Sequence, residues 1–552
     1  MYLHTSLNPN LAEFVNRKTN TFAPMQLNKT LIPFEKVNFF SKLFLDYTNN
    51  KLTEFYTYQP SVEGIQKFVA DNPYNNLNRT LLVDELSKQN NHITLTDATK
   101  QNIDKLKDKT TYTITTGHQL CLATGPAYFI YKILSVINLC ELLNKQNPSH
   151  RFVPVYWMAS EDHDFEEINH VNLFNKKIVW STEQKGKVGS FALDGMDAFL
   201  SEIKQTLGES VQAEKLNTLL SNTYSKKSLA EATRYLVNEL FGKYGLVILD
   251  GDSKVLKQEF IPEIKKDVFE NAAYKSVTAA NEKLKQQGYD AQVTPREINV
   301  FYAHKNLRER IVKENETYKV LNTDISFSKE AIENLIETET ERFSPNVVLR
   351  PMYQQRILPN AAYVGGPGEL SYWLQYKAMF NEAQIPYPVL IPRNFVFYLD
   401  KPLQQKMQKL NLATEDFFTE KDKLVKNYAL TQQPFSLDKE KEALKDLYNT
   451  IRTEISKVDK TLEAASEAEL QKTLKGIETL EQKSIRSIKQ KNEQAINQIE
   501  TIYARLFPND VPQERVENFL RYCLTNPDFV DNIKNNALSF IEEKAVLVLN
   551  EL

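Results

Sequence analysis

Cysteine is scarce in this sequence, with three among 552 residues, at Cys121, Cys140 and Cys523. Such scattered positions argue against a disulfide framework and against a thiolate zinc site. They favour a reducing compartment, so we expect a cytoplasmic protein. A surplus of positive charge is also missing, because the formal net charge is -3. The charge balance therefore gives no reason to expect nucleic acid as a partner.

Long apolar runs are missing as well. Residues 1–11 show no basic start followed by an apolar stretch, so they do not predict a signal peptide. The most apolar predicted helix, at residues 128–143, carries Lys132 and Asn138, which argues against a membrane span and a membrane partner. Apolar content of 41% and charged content of 25% are instead typical of a globular chain, and the length predicts two or three domains.

Short β-branched and apolar runs alternate with helical stretches, which predicts an α/β fold with a parallel, doubly wound sheet. The run at 152–158 is apolar throughout, as in a strand buried on both faces, and it ends abruptly in the charged segment SEDHD (160–164). Open α/β sheets bind ligands at the carboxyl ends of their strands, so we expect the site there. The predicted core strands are 111–116, 152–158, 244–249, 361–364 and 388–392.

The stretch from residue 438 to residue 506 contains no proline and a single glycine, Gly476. Its apolar residues recur every three or four positions in two sets, and SEAE (466–469) between them is a capping-box sequence that would start a second helix. This pattern predicts an antiparallel coiled-coil hairpin about 40 Å long or more, at about 1.5 Å per residue. Its narrow apolar seam must pack on a partner helix, within the hairpin or in a second subunit.

These differences in residue pattern divide the sequence into regions. Apolar residues at helical spacing in 34–47 predict helices before the core, and alternating residues at 177–181 and 188–193 predict short strands in an insertion. The predicted regions are an N-terminal helical region that packs on the core (1–108), the core with insertions at about 172–230 and 255–345 (109–400), a helical coiled-coil domain (401–510) and a helical tail that docks back on the core (511–552).

A first candidate site is the glycine turn after the first core strand. A glycine turn ahead of a helix exposes backbone N–H groups and the positive end of the helix dipole, which attract an anion. The spacing matches neither common phosphate-binding loop, so a tight strand-to-helix turn is an equally good interpretation. Lys132 on the following helix would either reach a phosphate or lie in solvent. The residues of this candidate anion site are Gly117, His118, Gln119, Thr124 and Gly125.

The second candidate site is the charged segment after the strand at 152–158. Acids and an imidazole packed together hold their charge only beside a cation, which predicts a metal ion, a Mg²⁺–nucleotide or an amine substrate. His163 or His170 could act as a general base. The alternative interpretation is a surface helix cap, and no spacing here is diagnostic of metal ligands. The segment comprises Ser160, Glu161, Asp162, His163 and Asp164, followed by Glu166, Glu167 and His170.

A third candidate site is the turn after the strand at 361–364, where three of only 15 glycines fall within four positions. This concentration favours a close approach of a ligand to the backbone over a merely tight turn. Other polar residues end their own strands, and the same sheet geometry would place them nearby, although each taken singly has a structural role as its alternative. The residues are Gly365, Gly366, Gly368 and Glu369, with Asp250, Asp252 and Arg393 at the other strand ends.

Three segments together resemble a known family. TGHQ with TGPAYFIYK (116–119 and 124–132), PVYWMASEDHDFEEINHV (154–171) and YVGGPGELSYWLQYK (363–377) are similar to the cysteine-adding enzymes of bacillithiol biosynthesis, the BshC family. The resemblance extends over the whole chain. It implies a Rossmann-like core interrupted by connecting insertions, a long α-helical coiled coil and a homodimer formed through it. The family often has a second Gln where this chain has His118, which adds a titratable group here.

The resemblance also implies a reaction: joining the carboxyl group of cysteine to the amine of glucosaminyl malate, the last step of bacillithiol synthesis. A carboxylate becomes a good acyl donor only after phosphorylation or adenylation, so such a ligase needs ATP, Mg²⁺, anion-binding groups and a base for the amine. Two alternatives stay open, namely transfer of a nucleotidyl or other activated group, and a non-catalytic ligand-binding scaffold. On the ligase hypothesis the glycine turns hold the anion, and Glu161, Asp162, His163 and Asp164 hold the amine or Mg²⁺, with His163 as base.

Overall fold

The computed structural model describes residues 27–538 and 544–551, and the prediction made for residues 1–11 lies outside them. Between residue 27 and the core, the structure has four α-helices. Each begins after a Ser, Asn or Thr whose side chain accepts a hydrogen bond from the backbone N–H three residues further on. The sequence pattern did not predict the strand ahead of them. These elements are β1 (Leu27–Pro33), α1 (Lys42–Thr48), α2 (Val62–Asp71), α3 (Arg79–Gln89) and α4 (Asp97–Lys105).

The first half of the core contains the first insertion. The strand predicted at 188–193 is instead a 3-10 turn, Val188–Ser190, because its backbone N–H groups bond to the carbonyls of Asp162 and Ser160 rather than to a strand. The first insertion is therefore hydrogen-bonded to the charged segment at 160–164. The elements are β2 (Thr111–His118), α5 (Tyr128–Gln146), β3 (Arg151–Met158), α6 (Phe165–Ile168), β4 (His170–Leu173), β5 (Lys176–Val179), α7 (Met196–Leu207), α8 (Val211–Tyr224), α9 (Leu229–Phe241) and β6 (Val247–Asp250).

The second half of the core contains the second insertion, which forms a five-stranded sheet in the order β10-β9-β8-β7-β11 with antiparallel neighbours. We call this the insertion sheet. The elements are α10 (Lys254–Gln258), α11 (Ile261–Glu270), α12 (Ala272–Gln286), β7 (Val300–His304), β8 (Leu307–Glu314), β9 (Thr317–Val320), β10 (Ser326–Phe327), α13 (Lys329–Thr338), β11 (Phe343–Pro345), α14 (Arg350–Ile357), β12 (Asn360–Gly365), α15 (Pro367–Trp373), α16 (Lys377–Glu382), β13 (Val389–Pro392) and β14 (Val396–Leu399).

The central sheet has the strand order β13-β12-β2-β3-β6, and all neighbours are parallel. Counted along the chain, this is the order 3-2-1-4-5 of a Rossmann-type sheet read from the other edge. Every residue of β2 is buried because β2 lies in the middle of the sheet, with helices on both faces. The predicted α/β class with a Rossmann-like parallel core is therefore confirmed.

The C-terminal region begins with the long helices that the sequence predicts. The turn between the two longest lies at residues 457–461, where Asp459 accepts hydrogen bonds from the N–H and hydroxyl of Thr461. The predicted helix start at Ser466 is wrong, since Ser466 lies inside a helix and packs as a buried residue. The helices of this region are α17 (Lys401–Lys409), α18 (Lys421–Gln432), α19 (Asp438–Ser456), α20 (Leu462–Lys491) and α21 (Glu493–Leu506).

The C-terminal tail is not helical throughout, which corrects the prediction. After α22 (Phe519–Thr525) and α23 (Phe529–Asn536) comes a strand, β15 (Ala545–Glu551). It lies between β1 and β14, antiparallel to the first and parallel to the second, because its apolar, β-branched residues are buried there. Within residues 27–538 and 544–551, none of the helices combines the length and apolarity needed to cross a membrane.

Candidate active site

A cavity of about 710 Å³ opens at the carboxyl ends of β2, β3 and β12. Its walls come from the turns after these strands, from the insertion sheet and from Arg515 in the C-terminal segment. β2 and β12 are neighbours, yet the chain continues from β2 to β3 on one side and from β12 to β13 on the other. This reversal leaves a crevice between their ends, which is the usual ligand position in an open α/β sheet. The SEDHD and GGPGE segments line the same cavity.

The carboxyl end of β2, which extends through the predicted glycine turn, brings Gly117, His118 and then Gln119 to the cavity. A Cβ atom on Gly117 would lie 3.3 Å from the hydroxyl of Tyr363 and 3.5 Å from a guanidinium nitrogen of Arg350. The contact with Tyr363 is tighter than usual, so the hydroxyl would have to shift slightly, whereas the contact with Arg350 is an ordinary one. The missing side chain of Gly117 therefore leaves room for the hydroxyl of Tyr363 at the base of the cavity.

His118 is a buried, neutral group in this turn. Its Nδ1 lies 2.8 Å from the carbonyl oxygen of Gln119, and because a carbonyl only accepts, the ring proton is assigned to Nδ1. Nε2 is buried without a hydrogen-bond partner among the residues that the structure describes. Burial, and then the nearby charge of Lys132, lower the pKa of His118 to about 4. At neutral pH the ring offers an acceptor at Nε2 rather than a positive charge for an anion.

Lys132 ties the first glycine turn to the third. Its side chain is only 2% exposed, so it does not lie in solvent, and its ammonium donates to the carbonyl of Gly117 at 2.5 Å and to Glu369 at 2.7 Å. Glu369 also accepts from the hydroxyl of Tyr363 and from the N–H of Gly366, both at 2.9 Å. Burial opposes the charge of Glu369, yet Lys132 and these hydrogen bonds hold its pKa below the usual value. The N–H of Gly366 is therefore used within the protein.

Part of the predicted acidic cluster is neutralised from within. Lys257 on α10 is fully buried, pairs with Glu161 and lies 3.2 Å from Asp252. Lys187 pairs with the same Asp252 at 2.7 Å. Burial alone would raise the pKa of Asp252, but the two lysines more than offset it and lower that pKa. Lysines from other segments thus balance Glu161 and Asp252, and only part of the acidic charge predicted from the sequence is left for a ligand.

Asp162, His163 and Asp164 remain on the cavity side, with potential ligand atoms within 4.8 Å of one another. Asp162 is held by the side chain of Gln119 at 2.9 Å. A guanidinium nitrogen of Arg308 lies 2.6 Å from Nδ1 of His163. A guanidinium only donates, so Nδ1 accepts and the proton of the neutral ring is assigned to Nε2. While this contact lasts, His163 has no free lone pair and cannot act as the predicted base.

Several predicted site residues lie outside the cavity. Asn518 donates to the carbonyl of Gly125 at 2.6 Å, so the turn at 124–125 anchors the C-terminal segment. The hydroxyl of Ser160 bonds to Asp250. A Cβ on Gly365 would lie 2.8 Å from Leu370, which explains that glycine by packing. The predicted residues that do not line the cavity are Thr124, Gly125, Ser160, His170, Asp250, Asp252 and Gly365.

Most of the positive charge of the site was not predicted from the sequence. Arg393, which was predicted, forms a bidentate pair with Glu514, and both side chains are 3% exposed or less. Arg308 and Arg310 alternate along β8, a signal that sequence carries, but sequence does not show which face meets the cavity. Seven basic residues line the cavity against four acidic ones. The basic residues that were missed are Arg296, Arg308, Arg310, Arg350 and Arg515.

Comparison with known proteins decides the family. Residues 25–394 match the model of the N-terminal Rossmann-like domain of the bacillithiol biosynthesis protein BshC, and residues 396–549 match that of its C-terminal coiled-coil domain. The chain belongs to the BshC family. A relative from Flavobacterium psychrophilum is 44% identical over 88% of this chain and 93% of its own length. Relatives from Cytophaga hutchinsonii (39% identity; 90% and 94%) and Bacillus anthracis (29%; 91% and 97%) follow, and all three carry the name "Putative cysteine ligase BshC".

The residue ranges of the two BshC domains show to which domain the C-terminal tail belongs. The boundary between the two matches falls between β13 and β14, so the Rossmann-like BshC domain includes both insertions and the whole wall that they contribute. The coiled-coil BshC domain includes β14 and most of β15. It reaches the cavity through Glu514, which holds Arg393, and through Arg515. In this BshC chain the second domain therefore completes the site of the first.

Proposed function

We propose that the chain is a cysteine ligase of bacillithiol biosynthesis, which joins the carboxyl group of cysteine to the amine of glucosaminyl malate with ATP as the activator. The observation that carries the proposal is the cavity at the reversal of strand order, with an excess of arginine on its walls and two accessible carboxylates, Asp162 and Asp164. ATP and the malyl group of the acceptor are both polyanions, so a basic cavity suits them. Membership of the BshC family supports the same assignment.

The residues present fit a Mg²⁺–nucleotide. The carboxylates of Asp162 and Asp164 belong to the group whose ligand atoms lie within 4.8 Å, and their side chains are 26% and 58% exposed. Mg²⁺ favours one or two carboxylates together with water and phosphate oxygens. When bound, the ion would neutralise charge on the phosphates during activation of the cysteine carboxylate. Gly117 lines the cavity at the crevice where phosphates bind in this class of sheet.

The assignment of the base follows from Arg308. In the observed arrangement Arg308 occupies the lone pair of His163, so His163 can accept the proton of the acceptor amine only when that hydrogen bond opens. An anion that attracts the guanidinium of Arg308 would open it. We therefore propose that His163 is the base in the ternary complex, and that Asp162, whose carboxylate lies 3.8 Å from Nδ1, holds the amine as an ammonium before the proton moves.

The test is a product assay. The purified chain is incubated with cysteine, glucosaminyl malate, ATP and Mg²⁺, and the amide product is measured by mass spectrometry together with the nucleotide released. AMP with pyrophosphate would indicate activation by adenylation, and ADP with phosphate would indicate an acyl phosphate. His163→Ala is expected to lower kcat about 100-fold or more, as for loss of a general base. A nucleotide product formed without amide would favour a group transferase and contradict the ligase.

We further propose that α19 and α20 form the interface of a homodimer. None of the residues of α19 is buried, and Leu447 and Ile451, one turn apart, are 55% and 39% exposed. Leu480 on α20 is 58% exposed. A coiled-coil seam that stays open in one chain suits a second copy. The variant with Leu447→Lys and Leu480→Lys should be monomeric by light scattering, whereas Val211→Lys, an exposed apolar position on α8, should leave the dimer intact. A wild-type monomer would contradict this proposal.

A further inference from the structure

Three arginines from the second insertion form one face of the cavity, which we call the arginine wall: Arg296, Arg308 and Arg310. Arg308 and Arg310 alternate on β8, so their side chains leave the same face of the insertion sheet, roughly 7 Å apart along the strand at about 3.4 Å per residue. Phe301 on β7 is the register partner of Arg310, and its ring lies 4.1 Å from the guanidinium of Arg308. Arg308 and Arg310 are thus held by paired strands, and Arg296 lies in the segment just ahead of β7.

The arginine wall lacks counter-charge. Among the described residues, none of its three guanidinium groups has a carboxylate oxygen within 4.0 Å, whereas Lys132 and Arg393 on the opposite side each have a carboxylate partner. Asp162 and Asp164 lie 3.8 and 3.9 Å from the ring nitrogens of His163, and it is His163 that contacts Arg308. The wall therefore presents net positive charge to whatever fills the cavity.

The surroundings of Arg308 show why the arginine wall favours an anionic ligand. It is 8% exposed, and its three protein partners are uncharged acceptors: the hydroxyl of Ser344 at 3.0 Å, the carbonyl of Pro345 at 3.3 Å and Nδ1 of His163. Burial lowers the pKa of Arg308, with the nearby acids opposing the shift. A guanidinium has five N–H donors, so two remain for a ligand. A buried cation without an ion-pair partner gains strongly from an anion that displaces water.

We propose that the arginine wall binds the two carboxylates of the malyl group of the acceptor substrate, an inference that rests on the proposed function. Guanidinium groups bind planar carboxylates through paired hydrogen bonds, and two arginines on alternate positions of one strand suit the two ends of a four-carbon diacid. The phosphates of a nucleotide belong at the crevice between β2 and β12, which the core turns line. The wall thus selects the acceptor, while the crevice takes the nucleotide.

The test measures binding by isothermal titration calorimetry with three probes: glucosaminyl malate, L-malate and ADP. The variants are Arg310→Ala and Arg296→Ala, whose side chains make no hydrogen bond within the described structure that their loss would break. Lys313→Ala is the matched control, because Lys313 is an exposed cation on β8 that leaves the opposite face of the strand. Thermal unfolding of each variant checks that the fold is intact.

Arg310→Ala should weaken binding of glucosaminyl malate and L-malate about tenfold or more, as for loss of a charged hydrogen-bond pair, and change ADP binding less than about twofold. Lys313→Ala should leave all three unchanged. The inference is overturned if both wall variants bind the diacids like the wild type, if ADP binding falls as much as diacid binding, or if the wild type binds neither diacid. If diacid binding depends on the wall but no amide forms in the product assay, the inference stands and the ligase proposal fails.

Discussion

The cations on the two sides of the cavity differ in whether a carboxylate of the protein is paired with them. On the core side, Lys132 and Arg393 are buried and each is paired with a carboxylate, Glu369 and Glu514, that comes from a distant part of the chain. On the insertion side, the arginine wall has no carboxylate partner within the described residues. Cations of the same type thus serve two purposes. A paired cation fixes the position of the turns, and an unpaired cation remains available for an anionic ligand.

The difference also has an energetic meaning. Removing one member of a buried ion pair strongly lowers the free energy of unfolding, since the charge that remains has neither water nor a counter-ion. Arg296 and Arg310 at the wall already meet solvent, so removal of either costs binding rather than folding. Substitutions on the two sides should therefore separate stability from ligand affinity, and the expected effects can be ranked from the largest to the smallest.

The largest effect is expected for Glu514→Ala. This change leaves Arg393, which is 3% exposed, without its bidentate partner and removes an acceptor for the N–H of Val396. Loss of one member of a buried pair costs about 3–5 kcal/mol in free energy of unfolding, measured by denaturant titration. Glu316→Ala, at the exposed turn between β8 and β9, should stay within about 0.5 kcal/mol of the wild type. Equal losses for the two variants would contradict the comparison.

The next effect is a dependence of stability on pH that comes from His118 on the core side. Its pKa is about 4 in the folded protein against a usual 6.5, so between these pH values the unfolded chain binds a proton that the folded chain does not. Stability attributable to His118 is therefore complete above pH 6.5 and falls as pH is lowered toward 4. The loss between pH 7 and pH 5 should be about 2 kcal/mol.

His118→Gln provides the measurement for this contribution. The variant keeps a polar side chain but has no titrating group at this position. The free energy of unfolding of each protein is measured by denaturant titration at several pH values. The difference, wild type minus variant, should decrease as pH falls from about 7 to about 5. Parallel curves for the two proteins would show that the imidazole is not held neutral, and the account of a neutral, buried ring beside Lys132 would be wrong.

The smallest effect on stability is expected for Arg310→Ala at the arginine wall. Its side chain is partly exposed and has no ion-pair partner in the described structure, so the free energy of unfolding should change by no more than about 0.5 kcal/mol. A loss of 2 kcal/mol or more would show that Arg310 is a structural cation like Arg393, and the distinction between the two sides would disappear.

Much of the framework could be predicted from the sequence because it depends on local pattern. The apolar run at 152–158 and the β-branched run at 111–116 lie in β3 and β2, with the charged segment and the glycine turn at their carboxyl ends. The long helices followed from apolar spacing without proline. The tail was predicted less well, since β15 becomes a strand through pairing with β1 and β14, which lie far from it in sequence.

The sequence by itself determined the α/β core, the position of the ligand-binding edge and the three strand ends that meet there, because strand and helix periodicity follow from nearby residues. Only the tertiary structure decided the electrostatics of the site. Lys257 neutralises Glu161 from 96 residues away, and Arg308 reaches His163 from 145 residues away. Charge interactions act through space and not along the chain, so no local pattern could show which acids were paired and which arginines were left for a ligand.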